Sequence, residues 1–440
     1  METITEQKEI SALAQLRAKL SQKAKLEPKF KFYTLYHHLS RDDVLLEAWK
    51  CVKRNGGSAG IDGITIKGTE NSPGGVIGFL KEIQSELRSK TYYPKAVKRV
   101  YIPKSDGKMR PLGIPTVKDR VVQAAMLIVI EPIFEEDFLD CSYGFRPKRS
   151  AHQAIDTIKQ SIDKGQLQIY DADLKAYFDT IPHDKLMMAL EMRIADRMVL
   201  KLIVKWLRAP IWEPGKPMTP NDKGTPQGGI ISPLLANLYM HYFDKIFHSS
   251  RGPGTWAKAT LVRYADDFVI MAKYMTPKIK TWIEETLEHR FSLTVNQEKT
   301  KIINLSEPKS SLDFLGFTLR RVELRKLRWK QFCLITPSQK SLNKAVEKIR
   351  EHTKSQNGYK PIGEVVKGLN QFLRGWGQYF RKGNPSQGFM KINGYVQNRL
   401  YRFLQRRSQR GYKKRDRNQS WYSHFKELGV IALTKSHRFG

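Results

Sequence analysis

The chain has 440 residues, 40% of them hydrophobic, with 77 Lys and Arg against 43 Asp and Glu, a formal net charge of +34. That length suggests two or three domains, and that apolar content excludes global disorder. No apolar run approaches the roughly 18–20 residues that span a bilayer, and residues 1–25 lack the apolar core of a signal peptide. Cys51, Cys141 and Cys333 are far apart, which excludes a disulfide framework and a Cys-x-x-Cys metal knuckle. A cytoplasmic protein with no membrane partner is expected. Its charge is uneven: residues 316–440 hold 29 Lys and Arg against 6 Asp and Glu. Positive charge concentrated in one third of a chain suits a polyanionic partner, and so a nucleic-acid-binding region.

In chain order, residues 1–27 read as a mobile, mixed-charge helix with Leu13, Leu16 and Leu20 on one side. A helix through Val44, Leu45, Ala48, Trp49 and Val52 follows. Residues 55–63 are rich in glycine but lack the Gly-Lys-Ser/Thr ending of a phosphate-binding nucleotide loop, so no NTPase is inferred. Residues 69–75 read as a surface loop, 76–87 as a helix, and 97–103 as a strand entering a tight turn and a second strand. That hairpin gathers Lys104, Lys108 and Arg110. Residues 119–138 read as a long apolar helix.

Residues 168–170 form a short apolar strand followed by Asp171-Ala172-Asp173. A carboxylate just after a buried strand is costly unless it binds a cation or is hydrogen-bonded. Helices are expected from about 183, over 234–247 and near 277–289. The second of these is entered by the loop Gly224-Thr225-Pro226-Gln227-Gly228-Gly229. His183-Asp184 has no partner histidines and reads as structural. Leu261-Val262-Arg263 and Phe268-Val269-Ile270-Met271 read as two strands of a hairpin with Asp266 and Asp267 at its bend. An Asp-Asp pair alone is commonly a surface turn. A short strand at 293–295 and a strand over 312–319 broken by one glycine complete an α/β or α+β core. From Ser338, a plausible N-cap, three amphipathic helices follow. Arg374, Arg399, Arg402 and Arg406, with Lys413 and Arg415 in the tail, are the candidate nucleic-acid contacts.

Asp173, Asp266 and Asp267 are three separated strand-end carboxylates, the kind of set that phosphoryl transfer to a polynucleotide end needs. Two Mg²⁺ ions roughly 3.5–4 Å apart activate the attacking hydroxyl and stabilise the leaving pyrophosphate. Mg²⁺ keeps several waters and takes few protein ligands.

Tyr264-Ala265-Asp266-Asp267 resembles the catalytic box of reverse transcriptases, as do Asp173-Leu174-Lys175-Ala176-Tyr177-Phe178-Asp179 and the loop at Gly224–Gly229. Ser142-Tyr143-Gly144-Phe145-Arg146-Pro147 and Ser232-Pro233-Leu234-Leu235-Ala236-Asn237-Leu238 are similar to the group II intron branch. Leu369-Asn370-Gln371-Phe372-Leu373-Arg374-Gly375-Trp376 resembles that branch's maturase, or thumb, domain. Six boxes in family order make coincidence negligible. The resemblance implies an α+β right-hand polymerase, with fingers and palm, then an α-helical thumb/maturase domain and a basic C-terminal segment. The expected divisions are 1–95 for an N-terminal extension and the start of the fingers, 96–320 for fingers and palm, 335–405 for the thumb, and 406–440 for the tail.

It further implies RNA-directed DNA synthesis with two Mg²⁺ ions, for which Mn²⁺ can substitute. Asp173, Asp266, Asp267 and the Leu174 carbonyl would hold the metals, with Asp171 the confusable alternative to Asp173. Lys104, Arg110, Phe178 and Gln227 would bind the dNTP, Phe178 as the steric gate against a ribose 2′-hydroxyl. Lys299 would protonate pyrophosphate, and Leu315, Gly316 and Phe317 would grip the primer. The implied partners are an RNA template, a DNA primer, dNTPs, a group II intron RNA and target DNA. The Cys- and His-bearing nuclease domain common in this branch is not recognised before Gly440, so strand cleavage is not expected. The tail is either a short DNA-binding segment or further intron-RNA surface. A domesticated relative in phage defence, spacer acquisition or DNA repair, or a splicing factor without polymerase activity, is the alternative.

Overall fold

The computed structural model describes residues 2–103, 107, 109–324, 327–407, 412–414 and 416–434, with side chains from residue 12 onward and outside 324–330. Lys104, Lys108 and Arg415 therefore lie outside the described residues. The strands, in chain order, are β1 (Val97–Pro103), β2 (Met109–Ile114), β3 (Gln168–Ala172), β4 (Ile211–Trp212), β5 (Thr260–Tyr264), β6 (Asp267–Ala272), β7 (Lys301–Asn304), β8 (Leu312–Phe314), β9 (Phe317–Leu324) and β10 (Leu327–Pro337). They form three sheets, ordered β2-β1-β4, β5-β6-β3-β7 and β10-β9-β8. The chain divides into two compact units, Met1–Ala154 with Tyr170–Lys301, and Ile155–Ile169 with Ile302–Gly440.

The first unit is built on two helices that are apolar almost all round, Val117–Glu135 and Ser232–Phe247. A helix without a polar face belongs in the centre of a core, and both are buried along most of their length. β5 and β6 are buried at successive rather than alternate residues, Leu261–Arg263 and Phe268–Ala272 all being buried. Their sheet is thus covered on both faces, which fixes the height of its strand ends against the surrounding helices. The helix read near 119–138 is Val117–Glu135, begun by Thr116, whose side chain accepts from the Asp119 amide. The surface loop read over 69–75 begins earlier as a short helix, Ile66–Glu70, capped by Thr65.

The first helix, Glu2–Leu26, is docked rather than mobile. Leu13, Leu20 and Ala24 are buried, and Arg17 reaches the helix Val117–Glu135 twice, donating to Ile128 O at 2.8 Å and to Glu131 Oε2 at 2.7 Å. The side that carries Leu13, Leu16 and Leu20 is the one that packs, with Leu16 partly buried.

The second unit has the three expected helices, Gln339–His352, Ile362–Phe380 and Ser386–Arg406. Ser338 caps the first, accepting from the Ser341 amide. The stretch read as one strand broken by a glycine is instead an antiparallel hairpin. Phe314 pairs with Phe317, and Leu315 and Gly316 form the two-residue turn at φ +48° and +81°. A turn with two positive φ values suits the twist of the flanking strands and favours glycine. Among the described residues no helix is long and apolar enough to cross a membrane.

One buried carboxylate ties two segments of the first unit together. Asp196, only 7% exposed, accepts from the amides of Leu35 (2.7 Å), Tyr36 (2.8 Å), Met198 (2.9 Å) and Val199 (3.3 Å). It caps the helix Arg197–Leu207 and holds the turn at residue 35 on the same side chain. Asp196→Ala is expected to cost about 3 kcal/mol, combining a lost cap with stranded amide donors. Urea or thermal denaturation checks this, and an unchanged midpoint would refute it.

Candidate active site

The register of β5 and β6 runs from Thr260↔Met271 to Tyr264↔Asp267, leaving Ala265 and Asp266 as a two-residue turn. Asp267 is thus the first residue of β6, and Asp266 stands at the tip. Ala265 takes φ +60°, a region that costs an L-residue roughly 1–2 kcal/mol. The conformation is held by neighbours. Arg263 Nη1 donates to Ala265 O at 3.0 Å and to Asn237 Oδ1 at 2.9 Å, and its guanidinium pairs with Asp244 at 2.6 Å. Both charged side chains are fully buried. Asn237 passes the constraint on, donating to Gly144 O at 2.7 Å. A Cβ at Gly144 would lie 2.5 Å from Ala265 N, so only glycine lets this loop lie against the turn.

Asp173 follows β3, which is hydrogen-bonded to β6 in the same sheet. Its backbone and side chain are both held by one turn: Asn296 donates from Nδ2 to Asp173 Oδ2 at 2.8 Å and from its amide to Asp173 O at 2.8 Å, while Asp173 N donates to Thr300 Oγ1 at 3.2 Å. Lys299 lies on this turn, with its amide bonded to Asn296 O and its side chain exposed. Leu174 forms an isolated antiparallel bridge with Val295. Tyr177 anchors the following loop, donating to Ala236 O at 2.6 Å.

The carboxylates feel one another. Burial raises the Asp266 carboxyl above the usual range; Asp173 pushes it the same way, and Arg110 and Arg263 oppose them. Asp267 is pushed up to about 7, by surrounding protein first and then by the charges of Asp266, Asp173 and Asp171, against Arg110. Because its side chain opens to solvent, the neighbouring carboxylates are the durable part of that cause. The donors are all hard oxygens, as Mg²⁺ or another hard divalent cation requires. Among the described residues no three His, Cys, Asp or Glu side chains form a ready-made metal cage. An open carboxylate set is compatible with an ion that completes its shell with water and substrate phosphate.

Phe178 and Gln227 are joined through Asp179 and Gly224. Thr225 N donates to Phe178 O at 2.7 Å, and Gln227 Nε2 to Asp179 Oδ2 at 3.1 Å. Gly224, at φ +80°, passes so close that a Cβ there would meet Phe178 O at 2.5 Å. Gln227 O accepts from Gly113 N, which attaches the loop to β2, the strand of Arg110. Phe178 is half-buried, its ring 5.4 Å from that of Tyr177.

The remaining candidates lie in the second unit. Tyr379 donates to Leu315 O at 2.8 Å, Ser338 N and Ser341 Oγ donate to Gly316 O, and Phe317 is buried between Tyr379 and Phe380. Arg402 and Arg406 line a cavity of about 380 Å³ with Lys354. Arg399 also lines it, but its guanidinium is tied to Thr353, at 3.1 Å to Oγ1 and 2.9 Å to the carbonyl. Arg374 and Lys413 are exposed.

Sequence reasoning missed Arg263, Asp244, Asn237, Asn296 and Thr300. An arginine inside an apolar strand was the available signal for the first, since a buried charge demands a partner. The other four depend on contacts between distant segments.

Residues 102–319 match the family model "Reverse transcriptase (RNA-dependent DNA polymerase)", and residues 342–421 match "Group II intron, maturase-specific domain". Protein YkfC of Escherichia coli (strain K12) is 35% identical over 348 residues, covering 71% of this chain and 90% of that protein. The group II intron-encoded protein LtrA of Lactococcus lactis subsp. cremoris is 33% identical over 355 residues, covering 66% of this chain and 57% of LtrA. The chain thus spans little more than half of that relative's length. The putative COX1/OXI3 intron 2 protein of Saccharomyces cerevisiae is 26% identical over 388 residues, 74% of this chain and 42% of its own.

Asp244→Ala strands a buried guanidinium and is expected to destabilise the fold by about 3–5 kcal/mol. Replacing both partners, as Arg263→Met with Asp244→Leu, is expected to cost clearly less. Urea unfolding of the two variants makes the comparison, and equal losses would contradict it.

Proposed function

Since this chain belongs to the family of group II intron reverse transcriptases and maturases, we propose that it copies RNA into DNA at the Asp173, Asp266 and Asp267 cluster, with two Mg²⁺ ions as its metals. The family activity is RNA-directed DNA polymerisation, a reverse transcriptase domain works with divalent metal ions, and the maturase domain implies an intron RNA as partner. The observation that carries the site assignment is geometric: Asp266 and Asp267 stand at the β5–β6 turn, and Asp173 follows β3, the strand hydrogen-bonded to β6.

When bound, the two ions would activate the primer 3′-hydroxyl and neutralise charge on the leaving pyrophosphate. Asp173 and Asp266 would hold both, with Asp267 and the Leu174 carbonyl adding donors. Arg110, whose charge already reaches both aspartates of the turn, is the proposed grip on the incoming triphosphate of a dNTP, assisted by Lys104. The exposed Lys299 is the proposed proton donor to pyrophosphate, since its turn is bonded to Asp173. Gln227 and Phe178 would line the sugar and base of that dNTP. Leu315, Gly316 and Phe317, a hairpin tip held by a helix, would support the DNA primer. Arg374, Arg402, Arg406, Lys413 and Arg415 would meet RNA or target DNA. Arg399, already bonded to Thr353, serves this surface chiefly by shaping it.

In these terms residues 96–320 would be fingers and palm after an N-terminal portion, 1–95. The thumb would be 335–405 and the basic tail 406–440.

Primer extension on an RNA template with Mg²⁺ tests the site. Asp266→Asn is expected to lower the rate by on the order of 10³-fold, because stabilisation of several kcal/mol depends on the held ions. Full activity in that variant would remove the site assignment, and no synthesis by the unaltered protein would remove the activity. Phe178→Ala is expected to admit ribonucleotides; unchanged discrimination between the two sugars would reject Phe178 as the gate.

A further inference from the structure

The described residues after 411 fold back onto the second unit's helices. Phe425 of the helix Trp421–Glu427 is buried, and the Trp421 ring lies 4.9 Å from that of Tyr401. Beyond this helix the backbone is gripped by two side-chain amides. Asn370 donates to Gly429 O at 2.7 Å and accepts from Ile431 N at 3.1 Å. Asn393 donates to Leu433 O and accepts from Leu433 N, each at 2.9 Å.

Between this segment and the helices lies a cavity of about 450 Å³, within the size range of small-molecule and nucleotide pockets. Arg374, Gln397, Tyr422 and Lys426 line it, over an apolar floor that includes Val396 and Ala432; no acidic residue contributes. Among the described residues, none of those four polar side chains is engaged in a hydrogen bond, ion pair or ring contact. Tyr422 is 54% exposed. An aromatic ring, an amide, two cations without partners among the described residues and an apolar floor, with no acidic residue in the lining, are complementary to a nucleobase and its phosphates.

We propose that this cavity receives one unpaired nucleotide of a bound RNA. Tyr422 stacks on the base, the Gln397 amide meets its hydrogen-bonding edge, and Arg374 and Lys426 hold the flanking phosphates. Sequence-specific RNA recognition mainly uses splayed bases of this kind, because the deep, narrow major groove of the duplex keeps side chains from the base edges. The site rests on the intron-RNA reading above and turns it from a basic surface into a pocket that discriminates unpaired from paired RNA.

The test uses the full chain, pre-loaded with excess unlabelled primer–template so that the polymerase cluster is engaged. It is then exposed to light with a short single-stranded RNA carrying 4-thiouridine, and crosslinked peptides are mapped by mass spectrometry. Crosslinks are expected within the peptide that contains Tyr422. Tyr422→Ala and the cavity-filling Ala432→Trp should lower their yield at least about fivefold, given the usual worth of one base–aromatic stack, while Tyr422→Phe retains it. Primer extension and the melting temperature should be unchanged in Tyr422→Ala. A yield unaffected by Tyr422→Ala, or an equal yield with a blunt RNA duplex, would overturn the pocket. Extension that persists without any crosslink would also overturn it and leave the polymerase reading intact, whereas loss of extension in the unaltered protein would strike that reading instead.

Discussion

The Arg263–Asp244 pair is the constraint on which the rest of the first unit turns. Two charges with no exposure to water are a poor source of net stability, since their desolvation consumes most of their attraction. What such a pair supplies is uniqueness of arrangement. Arg263 brings together its own strand, the helix Ser232–Phe247 through Asp244 and Asn237, and the turn after it through Ala265 O. Asn237 adds the loop at Gly144. A hydrophobic replacement would pack these elements but would not determine the angle of the turn, because apolar contacts have no direction. The aspartates at the tip inherit their orientation from hydrogen bonds made beneath them.

That orientation is held against electrostatic pressure. Asp266 and Asp267 are both raised, and each responds to the charge on Asp173. Clusters of mutually repelling carboxylates lower the stability of the fold that carries them, and they persist where a function requires them. Arg110 offsets part of the repulsion from outside the sheet, and a bound divalent cation would offset more. Any ion that binds the folded form alone also stabilises it, by an amount that grows with its concentration. Cation binding and folding would then be linked.

Much of this architecture is legible in the chain. The short stretches Leu261-Val262-Arg263 and Phe268-Val269-Ile270-Met271 mark β5 and β6, and the adjacent aspartates mark their bend. Helical spacing marks each of the three helices after Ser338, down to the capping serine. What escapes is whatever depends on contacts between distant segments. Glu2–Leu26 reads as a loose charged helix because its apolar stripe is thin, and only the helix Val117–Glu135 opposite explains why it docks. Gly316 reads as a flaw in one strand because a hairpin of two residues has no room for a conspicuous loop. Arg399 reads as one more cation on a basic face, and its bonds to Thr353 appear only once the helices are side by side. The carboxylates of the site are visible in the sequence; the amides and hydroxyls that aim them, Asn237, Asn296 and Thr300, are not.

The docking of the segment 429–433 has an evolutionary consequence. Asn370 and Asn393 grip its peptide groups, as a neighbouring strand would, and Leu433 is its one buried side chain, so the grip itself does not depend on the side chains at Val430, Ile431 and Ala432. Substitutions at Val430, Ile431 or Ala432 can therefore reshape the wall of the adjoining cleft without loosening the segment from its helices. A scaffold that separates anchoring from lining in this way lets related chains diverge in what the cleft accepts while the helical domain beneath stays the same.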